Sequence, residues 1–472
     1  MRKRLLAKRW PWLLAASLVV IGYLSTLVEI RWPGHSDHRP RGTVEDIAKL
    51  RDRRDLNVLF LLIDTLRADH LGSYGYDRDT SPRLDRLASS GVRFGRQMAQ
   101  STWTKASMVS LWTGLYPART GITHFDHVIP EAARMPAEVL REAGFQTLGL
   151  WRNGWVSPTF GFDQGFEVYQ RPISPPLPPN VRRENPTLSE KGTDQSLIDA
   201  AVEFLRVSGH KRWFLYLHMM DLHEYTYDAE SALFGSTHAD LYDNSIRWTD
   251  DSIALLLETL GELDLLDNTI IAIVSDHGEA FLERGFEGHA REVYRETTEV
   301  PFLLSFPFRL DPGIVVKTRT QNVDVWPTIL DLLGLELPKG IDGRSRLPDI
   351  LAAGSGQTPD DATRTAIADL DQNWAQRDSK PLPAIAVVED SFRYVRMQRP
   401  GDADPPLEQL FDATNDPREL HDRSAEDPET LARLRAEADA YSKTKPPWGE
   451  APTREIDELE LNLLRALGYK LP

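Results

Sequence analysis

Three largely apolar runs stand out along the chain, at residues 57–63, 213–217 and 270–275. Each run ends at a polar residue that can bind a metal ion: Asp64, His218 or Asp276. Continuous apolar runs of this length, rich in branched side chains, are typical of strands buried on both faces of a parallel sheet. We therefore predict three central strands with polar residues at their carboxyl ends.

Helical patterns lie between these runs. Apolar residues recur at helical spacing over 246–260, and Ser81 followed by Pro82 predicts a helix that continues to Gly91. Strands that alternate with helices indicate an α/β fold with helices on both faces of the sheet. Because ligands bind beyond the carboxyl ends of parallel strands, this pattern predicts a site where the three runs end.

The N-terminal segment has the pattern of a membrane anchor. Five basic residues lie in the first nine positions, and no uncompensated charge follows from Trp10 to Val28. As a helix this stretch is roughly 28 Å long, close to the thickness of bilayer hydrocarbon. We predict a cytoplasmic basic tip and a single transmembrane helix within residues 1–30, a linker over 31–55, and the rest of the chain on the periplasmic or extracellular side. A cleaved signal peptide is the alternative.

The rest of the chain divides into two predicted parts. Residues 56–351 hold the apolar runs and form the main α/β domain, and residues 352–364 are predicted to be a linker. A smaller α+β subdomain, residues 365–472, follows, with strand patterns at 384–388 and 392–396. Its acidic tail ends in a predicted helix whose apolar face holds four leucines: Leu459, Leu463, Leu464 and Leu467.

The composition of the chain excludes some classes of partner and of catalytic site. The chain of 472 residues has a formal net charge of −16 and contains no cysteine. Nucleic acid is excluded as the main partner, because phosphate binding needs a basic surface. The lack of cysteine excludes disulfides, thiolate metal sites and a cysteine nucleophile.

Asp64, Asp276 and His277 form the first candidate site. Two carboxylates and one imidazole suit Mn, Zn, Mg or Ca, and the histidine favours a transition metal. The alternative is that each aspartate only caps a junction between a strand and a helix. The residue pattern alone does not choose between these two interpretations.

The segment from Thr104 to Gly114 forms the second candidate site. Residues 107–113 suit a helix with Thr104 just before it. A hydroxyl in that position faces the unpaired N–H groups and the positive end of the helix, which stabilise an alkoxide and a bound anion. The alternative is that Thr104 is only a helix cap.

These segments resemble motifs of the sulfatase family of the alkaline phosphatase superfamily. Residues 57–72 are similar to the family's opening strand and metal-binding turn, 107–121 to its signature helix, and 275–279 to its second metal motif. Further similarities occur at residues 218–225, 288–289, 294–301, 410–417 and 464–469. The resemblance spans about residues 56–472 and implies an alkaline-phosphatase-like sandwich. Such a fold has a large, mostly parallel central sheet flanked by helices, and a smaller C-terminal subdomain.

The nucleophile motif of the family is changed in this chain. Sulfatases carry Cys or Ser, oxidised to formylglycine, within a Cys/Ser-x-Pro-x-Arg pattern, where this chain has Thr104, Ala106 and Met108. Oxidation of a threonine would give a ketone rather than that aldehyde. The resemblance therefore implies a hydrolase or transferase of phosphate esters, or of sulfate esters, in which unmodified Thr104 attacks in line. The alternatives are a sulfatase that uses another route and a catalytically silent relative that binds an anionic glycan or lipid headgroup.

The resemblance implies one divalent metal ion. Its ligands would be Asp64, Asp276 and His277, together with Thr104. Thr65 stands where many sulfatases have a second acidic residue, which favours a transition metal over calcium.

The resemblance also implies roles for residues around the metal. His223 and His289 would bind the ester oxygens or protonate the leaving group. Lys105, Arg152 and Asn153 would contact the anionic substrate. For Lys105 and Arg152, a solvated surface position is the alternative.

A second metal site is the main alternative to a single ion. Asp221, His223 and His289 could form it, as in two-metal relatives, but this segment is more similar to the sulfatases. With a membrane tether, the implied substrate is an anionic ester at the outer face of the membrane, such as a lipid headgroup or an envelope glycan.

Overall fold

The computed structural model describes residues 37–173, 185, 188, 192–357, 365–377, 379–399, 405–465 and 471. The chain divides into two units, Met1–Arg39 and Pro40–Pro472. The fold described below is that of the second unit.

The centre of this unit is a mixed sheet. The strands in this part of the chain are β1 (Asn57–Ile63), β2 (Val92–Met98), β3 (Gln146–Trp151), β4 (Val168–Gln170), β5 (Trp213–Met219), β6 (Thr269–Val274), β7 (Ala280–Phe281), β8 (Glu287–Gly288), β9 (Glu299–Val300), β10 (Phe302–Ser305) and β11 (Ile314–Gln321). β7 and β8 form a separate hairpin, and the other strands form the mixed sheet. The order across the sheet is β11-β2-β10-β6-β1-β5-β3-β4, and β9 pairs with β2. β1 is parallel to β5 and β6, whereas β10 is antiparallel to β2 and β6. The three strands predicted from the apolar runs therefore lie side by side at the centre.

The side chains of β1 fill two hydrophobic cores. Val58, Phe60 and Leu62 belong to one core, whereas Leu59 and Leu61 belong to the other. Successive side chains of a strand point to opposite faces, so a strand between two cores must be apolar at every position. This requirement explains the uninterrupted run that the sequence shows.

Helices cover both faces of the sheet, as predicted. They are α1 (Val44–Lys49), α2 (Pro82–Ser90), α3 (Thr104–Thr113), α4 (Pro117–Thr120), α5 (Pro136–Glu142), α6 (Gln195–Ser208), α7 (His238–Glu262), α8 (Arg295–Thr298), α9 (Val325–Leu332) and α10 (Leu347–Gly354). Buried residues of α3, α9 and α10 join the core that contains Phe60, and those of α2, α6 and α7 join the core that contains Leu59. The fold is thus a three-layer α/β structure.

Element limits differ from the sequence patterns away from the centre. α7 begins at His238, well before Ile246, because the Thr237 side chain accepts a hydrogen bond from the Asp240 N–H (3.2 Å) and caps the helix. Part of the predicted linker over 31–55 is folded: α1 and the 3₁₀ turn Leu50–Asp52 lie there, and Ile47 and Leu50 are buried in the main core.

The C-terminal part has its own antiparallel sheet. Its strands are β12 (Ala366–Asp371), β13 (Pro383–Glu389), β14 (Phe392–Met397) and β15 (Leu407–Asp412), in that order. α11 (Pro428–Tyr441) packs against this sheet, and α12 (Glu458–Arg465) follows near the end of the chain. The predicted strands are confirmed, and a tail helix is present; Leu464 of its predicted apolar face is buried, whereas Leu463 is exposed.

No helix among the described residues is long and apolar enough to cross a membrane. The predicted transmembrane segment, Trp10 to Val28, lies outside the described residues. Residues 358–364 of the second predicted linker and Leu467 of the predicted tail helix lie outside them as well.

Candidate active site

Asp64 lies directly after β1, at the carboxyl end of the central strand. The following residue, Thr65, has a φ of 62°, an unfavourable conformation for a β-branched residue. The turn is held by its surroundings: the Thr65 carbonyl accepts a hydrogen bond from Tyr242 Oη (2.7 Å), and the Leu66 N–H donates to Ser275 Oγ (2.9 Å). The strained turn directs the Asp64 carboxylate toward the loop that follows β6.

Asp276 and His277 lie on that second loop, which several side chains fix in place. Ser107 Oγ, from the first turns of α3, donates to the Asp276 carbonyl (2.6 Å), and Asn322 Nδ2 donates to the Ser275 carbonyl (2.9 Å). The loop therefore approaches both Asp64 and the start of α3.

Hydrogen bonds hold one carboxylate oxygen of Asp64 and one of Asp276. Asp64 Oδ2 accepts from Asn153 Nδ2 (2.6 Å) and contacts His218 Nε2 (3.0 Å), and Asp276 Oδ1 accepts from the Thr65 N–H (3.3 Å). The other oxygen of each carboxylate, Asp64 Oδ1 and Asp276 Oδ2, is buried and has no hydrogen-bond partner among the described residues. Hydrogen bonds thus fix one oxygen of each aspartate, and the other oxygen stays available to a ligand.

His277 supplies a third donor atom at the same point. Its Nδ1 lies 3.1 Å from the Gly278 carbonyl, an arrangement that places the ring proton on Nδ1 and leaves the Nε2 lone pair exposed to the cluster. His277 Nε2 lies 3.3 Å from Asp276 Oδ2 and 3.8 Å from Asp64 Oδ1. Three electron-rich atoms, all within 4.8 Å of one another, therefore face each other in a fully buried position.

This donor set fits a divalent metal ion. Two carboxylate oxygens and one imidazole nitrogen, each oriented by a hydrogen bond through its other polar atom, have the pattern that proteins use to hold such ions. Burial, followed by the charge of Asp64, raises the pKa of Asp276 to about 7. Burial is also the main cause that lowers the pKa of His277, and the neutral ring is the form that binds metals.

Thr104 lies beside these three atoms, as the first residue of α3. Its Oγ1 is 3.2 Å from His277 Nε2 and 3.4 Å from Asn153 Nδ2. The helix begins at Thr104 rather than after it, and Trp103 occupies the capping position. The Thr104 hydroxyl thus lies at the positive end of a buried helix and next to the metal-type donor set.

His223 and His289 lie together near His277. The ring centroids of His223 and His289 are 5.0 Å apart, and those of His277 and His289 are 4.4 Å apart. His289 Nδ1 is 3.0 Å from Glu279 Oε2, which fixes the orientation of the ring. Burial lowers the pKa of His289 to about 4 and also lowers the pKa of His223.

Asn153 and Lys105, both predicted to contact substrate, have different surroundings. Asn153 touches Asp64 and Thr104, as described above. The Lys105 ammonium is buried and donates to the carbonyls of Phe125 (2.6 Å) and His127 (2.8 Å). Successive helical residues point about 100° apart, so the two side chains that begin α3 reach different environments.

Arg152 lies in a cluster of carboxylates. Its guanidinium donates to Asp194 (2.9 Å), Glu224 (2.8 Å) and the Gly192 carbonyl (2.8 Å), and it also bonds Asp221. These partners occupy the guanidinium, and no contact between Arg152 and the Asp64 cluster is found among the described residues.

The same contacts bear on the alternative of a second metal site. Asp221 accepts hydrogen bonds from Arg152, the Asp194 N–H (2.9 Å) and Trp248 Nε1 (2.7 Å). Within the described residues, the groups of His, Asp and Glu that could hold a metal are Asp64–Asp276–His277 and the half-buried His124–Asp126–His127. Asp221, His223 and His289 form no such group among the described residues.

Two further residues belong to the site: His218, which the sequence marked only as the polar end of an apolar run, and Glu279, which it did not single out. His218 follows from the sheet register, because it pairs with Leu62 and so lies next to the end of β1. Tyr216 Oη lies 2.7 Å from His218 Nδ1, so the hydroxyl can donate to Nδ1 while Nε2–H donates to Asp64. The polar end of the second apolar run was a signal for His218, whereas nothing in the sequence pairs Glu279 with His289.

The fold is similar to those of solved hydrolases. A 2-O GAG sulfatase matches with a TM-score of 0.66 at 18% identity, over 85% of this chain and 98% of that chain. A phosphonate monoester hydrolase from Silicibacter pomeroyi matches with a TM-score of 0.66 at 19% identity, over 82% of this chain and 95% of that chain. These likenesses show that the protein has the same α/β fold as this sulfatase and this phosphonate monoester hydrolase.

Sequence comparison defines the family. The Sulfatase family model matches residues 56–335, more than half of the chain, and the model of the N-sulphoglucosamine sulphohydrolase C-terminal region matches residues 285–439. The chain belongs to the sulfatase family, and the resemblance found in its motifs is confirmed. Human N-acetylgalactosamine-6-sulfatase is 28% identical over 346 residues, which cover 62% of this chain and 66% of that protein, just under two thirds of its length.

Proposed function

We propose that this protein is a metal-dependent hydrolase or transferase of a phosphate ester, with unmodified Thr104 as its nucleophile. The observation that carries the proposal is the convergence of Asp64 Oδ1, Asp276 Oδ2 and His277 Nε2 beside the Thr104 hydroxyl. Three electron-rich atoms repel one another in a buried position unless a cation lies between them. Membership of a family of ester hydrolases supports the reaction class.

Asp64, Asp276 and His277, with Thr104, would hold the metal. The mixed oxygen and nitrogen donors favour a transition metal such as Mn or Zn over Ca. A bound divalent cation supplies Lewis acidity, which favours the ionised form of a neighbouring hydroxyl and the negative charge that develops on the ester oxygens.

Each side chain of the proposed active site has its own role in the reaction. Thr104 Oγ1 attacks the phosphorus in line, so that one P–O bond forms and the bond to the leaving alcohol breaks. Asn153 Nδ2 keeps the hydroxyl and the Asp64 carboxylate in place, and the N-terminal N–H groups of α3 stabilise the anionic ester. His289, oriented by Glu279, and His223 beside it bind the ester oxygens as neutral rings, and the proton of the Thr104 hydroxyl passes to the departing alcohol. Water or an acceptor alcohol then displaces Thr104 from the phosphoryl group.

A sulfate ester is the second candidate substrate. The relatives named as sulfatases favour it, whereas the threonine at position 104 favours phosphate because it cannot form the aldehyde of the sulfatases. Rates on nitrophenyl sulfate and on nitrophenyl phosphate mono- and diesters distinguish the two substrates.

The nucleophile is tested with Thr104→Val, which removes the hydroxyl and keeps the shape of the side chain. We expect turnover to fall by about a thousandfold or more, while the metal stays bound through its other ligands. Thr102→Val is the matched control, since Thr102 Oγ1 donates to the Glu292 carbonyl (2.8 Å) and has no part in the proposed reaction. A phosphothreonine trapped at position 104 would confirm the intermediate, and unchanged turnover of Thr104→Val would refute the role of Thr104.

We further propose that the protein is anchored by one transmembrane helix within residues 1–30, with the catalytic domain outside the cytoplasm. The five basic residues before the uncharged stretch from Trp10 to Val28 support this orientation. The catalytic domain then has access to a substrate at the outer face of the membrane, either a lipid headgroup or an envelope glycan. Protease added to intact spheroplasts should digest the catalytic domain, and a protected domain would contradict the proposed topology.

A further inference from the structure

Arg171 is a half-buried arginine just after β4. It has no hydrogen bond, ion pair or ring contact with any residue that the structure describes. A guanidinium carries five donors, and a half-buried position removes part of its hydration. Such a group is suited to bind a ligand that brings its own acceptors.

Arg171 lines a pocket whose wall contains the chain neighbours of two candidate site residues. Other residues of the wall are Trp151, Arg152, Glu224, Glu460 and Leu463. Arg152 precedes Asn153, whose amide contacts Thr104 and Asp64, and Glu224 follows His223. The backbone therefore passes from the candidate active site into the pocket wall within one residue at two places.

The charges of the pocket leave Arg171 as the available donor. Glu224 binds Arg152 (2.8 Å), and Glu460 accepts a hydrogen bond from Ser157 Oγ (3.2 Å), so both carboxylates already have partners. Arg152 in turn is occupied by the carboxylate cluster described above. Burial is the main cause that lowers the pKa of Arg171, and the positive charge of Arg152 acts in the same direction.

We propose that Arg171 binds a second anionic group of the substrate, next to the ester that reacts at Thr104. This inference rests on the proposed function and deepens it, because it defines the substrate as carrying two negative groups on one molecule. A carboxylate, sulfate or phosphate accepts two parallel N–H bonds from a guanidinium, which adds both affinity and geometric selectivity. The second group can belong to a glycan or to a lipid headgroup, since both present the same chemistry.

Two matched substrate pairs test the proposal. Glucose 1-phosphate and glucuronic acid 1-phosphate differ by a sugar carboxylate, and glycerol 3-phosphate and glycerol 1,3-bisphosphate differ by a phosphate. For one of the two pairs, we expect kcat/KM of the wild-type protein to be about tenfold to a hundredfold higher for the doubly anionic member. A preference of this size corresponds to the contribution of one hydrogen bond to a charged group. The pair that shows the preference identifies the source of the second anion.

Variants then assign that preference to a residue. Arg171→Ala should reduce the ratio within the pair to near one, and Arg171→Lys should restore part of it because the charge is kept. Arg206→Ala, at an exposed arginine on α6, removes the same charge and should leave the ratio unchanged. Thermal unfolding of Arg171→Ala should match the wild type, since Arg171 has no partner among the described residues.

The outcome separates the subsite from the reaction. If the wild-type protein hydrolyses the phosphates and the ratio is the same in Arg171→Ala, the subsite is refuted and the proposed function stands. If no phosphate is hydrolysed, the same four compounds are titrated as ligands by calorimetry. Tighter binding of a doubly anionic member that depends on Arg171 then supports the subsite alone, and equal binding refutes it.

Discussion

Two buried charge clusters lie near the carboxyl ends of the central strands, and they are built in opposite ways. Around Arg152, a cation is surrounded by Asp194, Asp221 and Glu224, and each carboxylate has a hydrogen-bonded partner. Around Asp64 the carboxylates and the imidazole of His277 direct electron-rich atoms at one another. The first arrangement pairs its charges within the protein, whereas the second has the donor atoms of a cation site.

The comparison distinguishes buried charges that stabilise the fold from buried charges that form a functional site. Arg152 and its carboxylates cost free energy to bury but recover it through mutual contacts, so the cluster can fix the loops around it. The Asp64 cluster is held in place by hydrogen bonds from Asn153 and Thr65 to one oxygen of each aspartate. Such support preserves a geometry that is unfavourable without a ligand, which is typical of a functional site.

The largest effect is expected from Asp276→Asn in the incomplete cluster. The change removes one electron-rich oxygen, so we expect loss of the metal and a fall in turnover of at least about a thousandfold, near 4 kcal/mol in transition-state stabilisation. The metal-free variant should be as stable as the metal-free wild type, or more stable, because repulsion with Asp64 is removed. Elemental analysis, kinetics and urea unfolding after chelation measure these three effects. Retention of stoichiometric metal would contradict the assignment.

The next effect concerns the complete cluster. Arg152→Met leaves the buried carboxylates of Asp194 and Asp221 without their cation, so the free energy of unfolding should fall by about 3 kcal/mol or more. Arg206→Met, at an exposed and unpaired position of the described chain, is the control and should change stability little. Urea unfolding at neutral pH measures both variants. A loss below about 1 kcal/mol would mean that the cluster does not depend on Arg152.

A third buried carboxylate, Glu292, has neither a metal-type donor set nor a paired arginine among the described residues. Burial, followed by the charge of Glu296, raises the pKa of Glu292 from 4.5 to about 8. Because the pKa is higher in the folded protein, this group stabilises the fold below about pH 4.5 and loses that contribution as the pH rises through about 8. Its Oε2 accepts a hydrogen bond from the Tyr294 N–H (3.1 Å), which a glutamine can keep.

Glu292→Gln should therefore flatten the dependence of stability on pH. Relative to the wild type, we expect the variant to gain about 2 kcal/mol of unfolding free energy between roughly pH 5 and pH 8.5. Urea unfolding at a series of pH values in that range measures the difference. Parallel profiles for the two proteins would show that Glu292 does not titrate as its burial indicates.

Much of the fold was predictable because the sequence must satisfy local rules at every position. The run from Val58 to Ile63 is apolar throughout because two cores require it, and the strand Asn57–Ile63 has the predicted limits. The central order of β6, β1 and β5 places the polar residues after these strands at one edge of the sheet. Recognition of the family motifs then identified Asp64, Asp276, His277 and Thr104 as one site.

The surroundings of these residues were not predictable in the same way. Lys105 and Arg152 are charged and close in sequence to the site, yet their partners come from distant segments that no local pattern identifies. Glu279 contacts His289 only because the β7–β8 hairpin brings the two together. The linker assigned over 31–55 failed for Ile47 and Leu50, since two apolar residues in a polar stretch gave too weak a signal of burial.

The sequence by itself determined the strands, the acidic and cysteine-free character of the chain, and the identity of the candidate ligands. These properties depend on residue type and spacing, which the chain carries in every conformation. Only the tertiary structure decided which oxygen of each aspartate is held and which is left over, which arginine is occupied and which is available. Hydrogen-bond partners and burial arise from residues far apart in the chain, so they exist only after folding has brought those residues together.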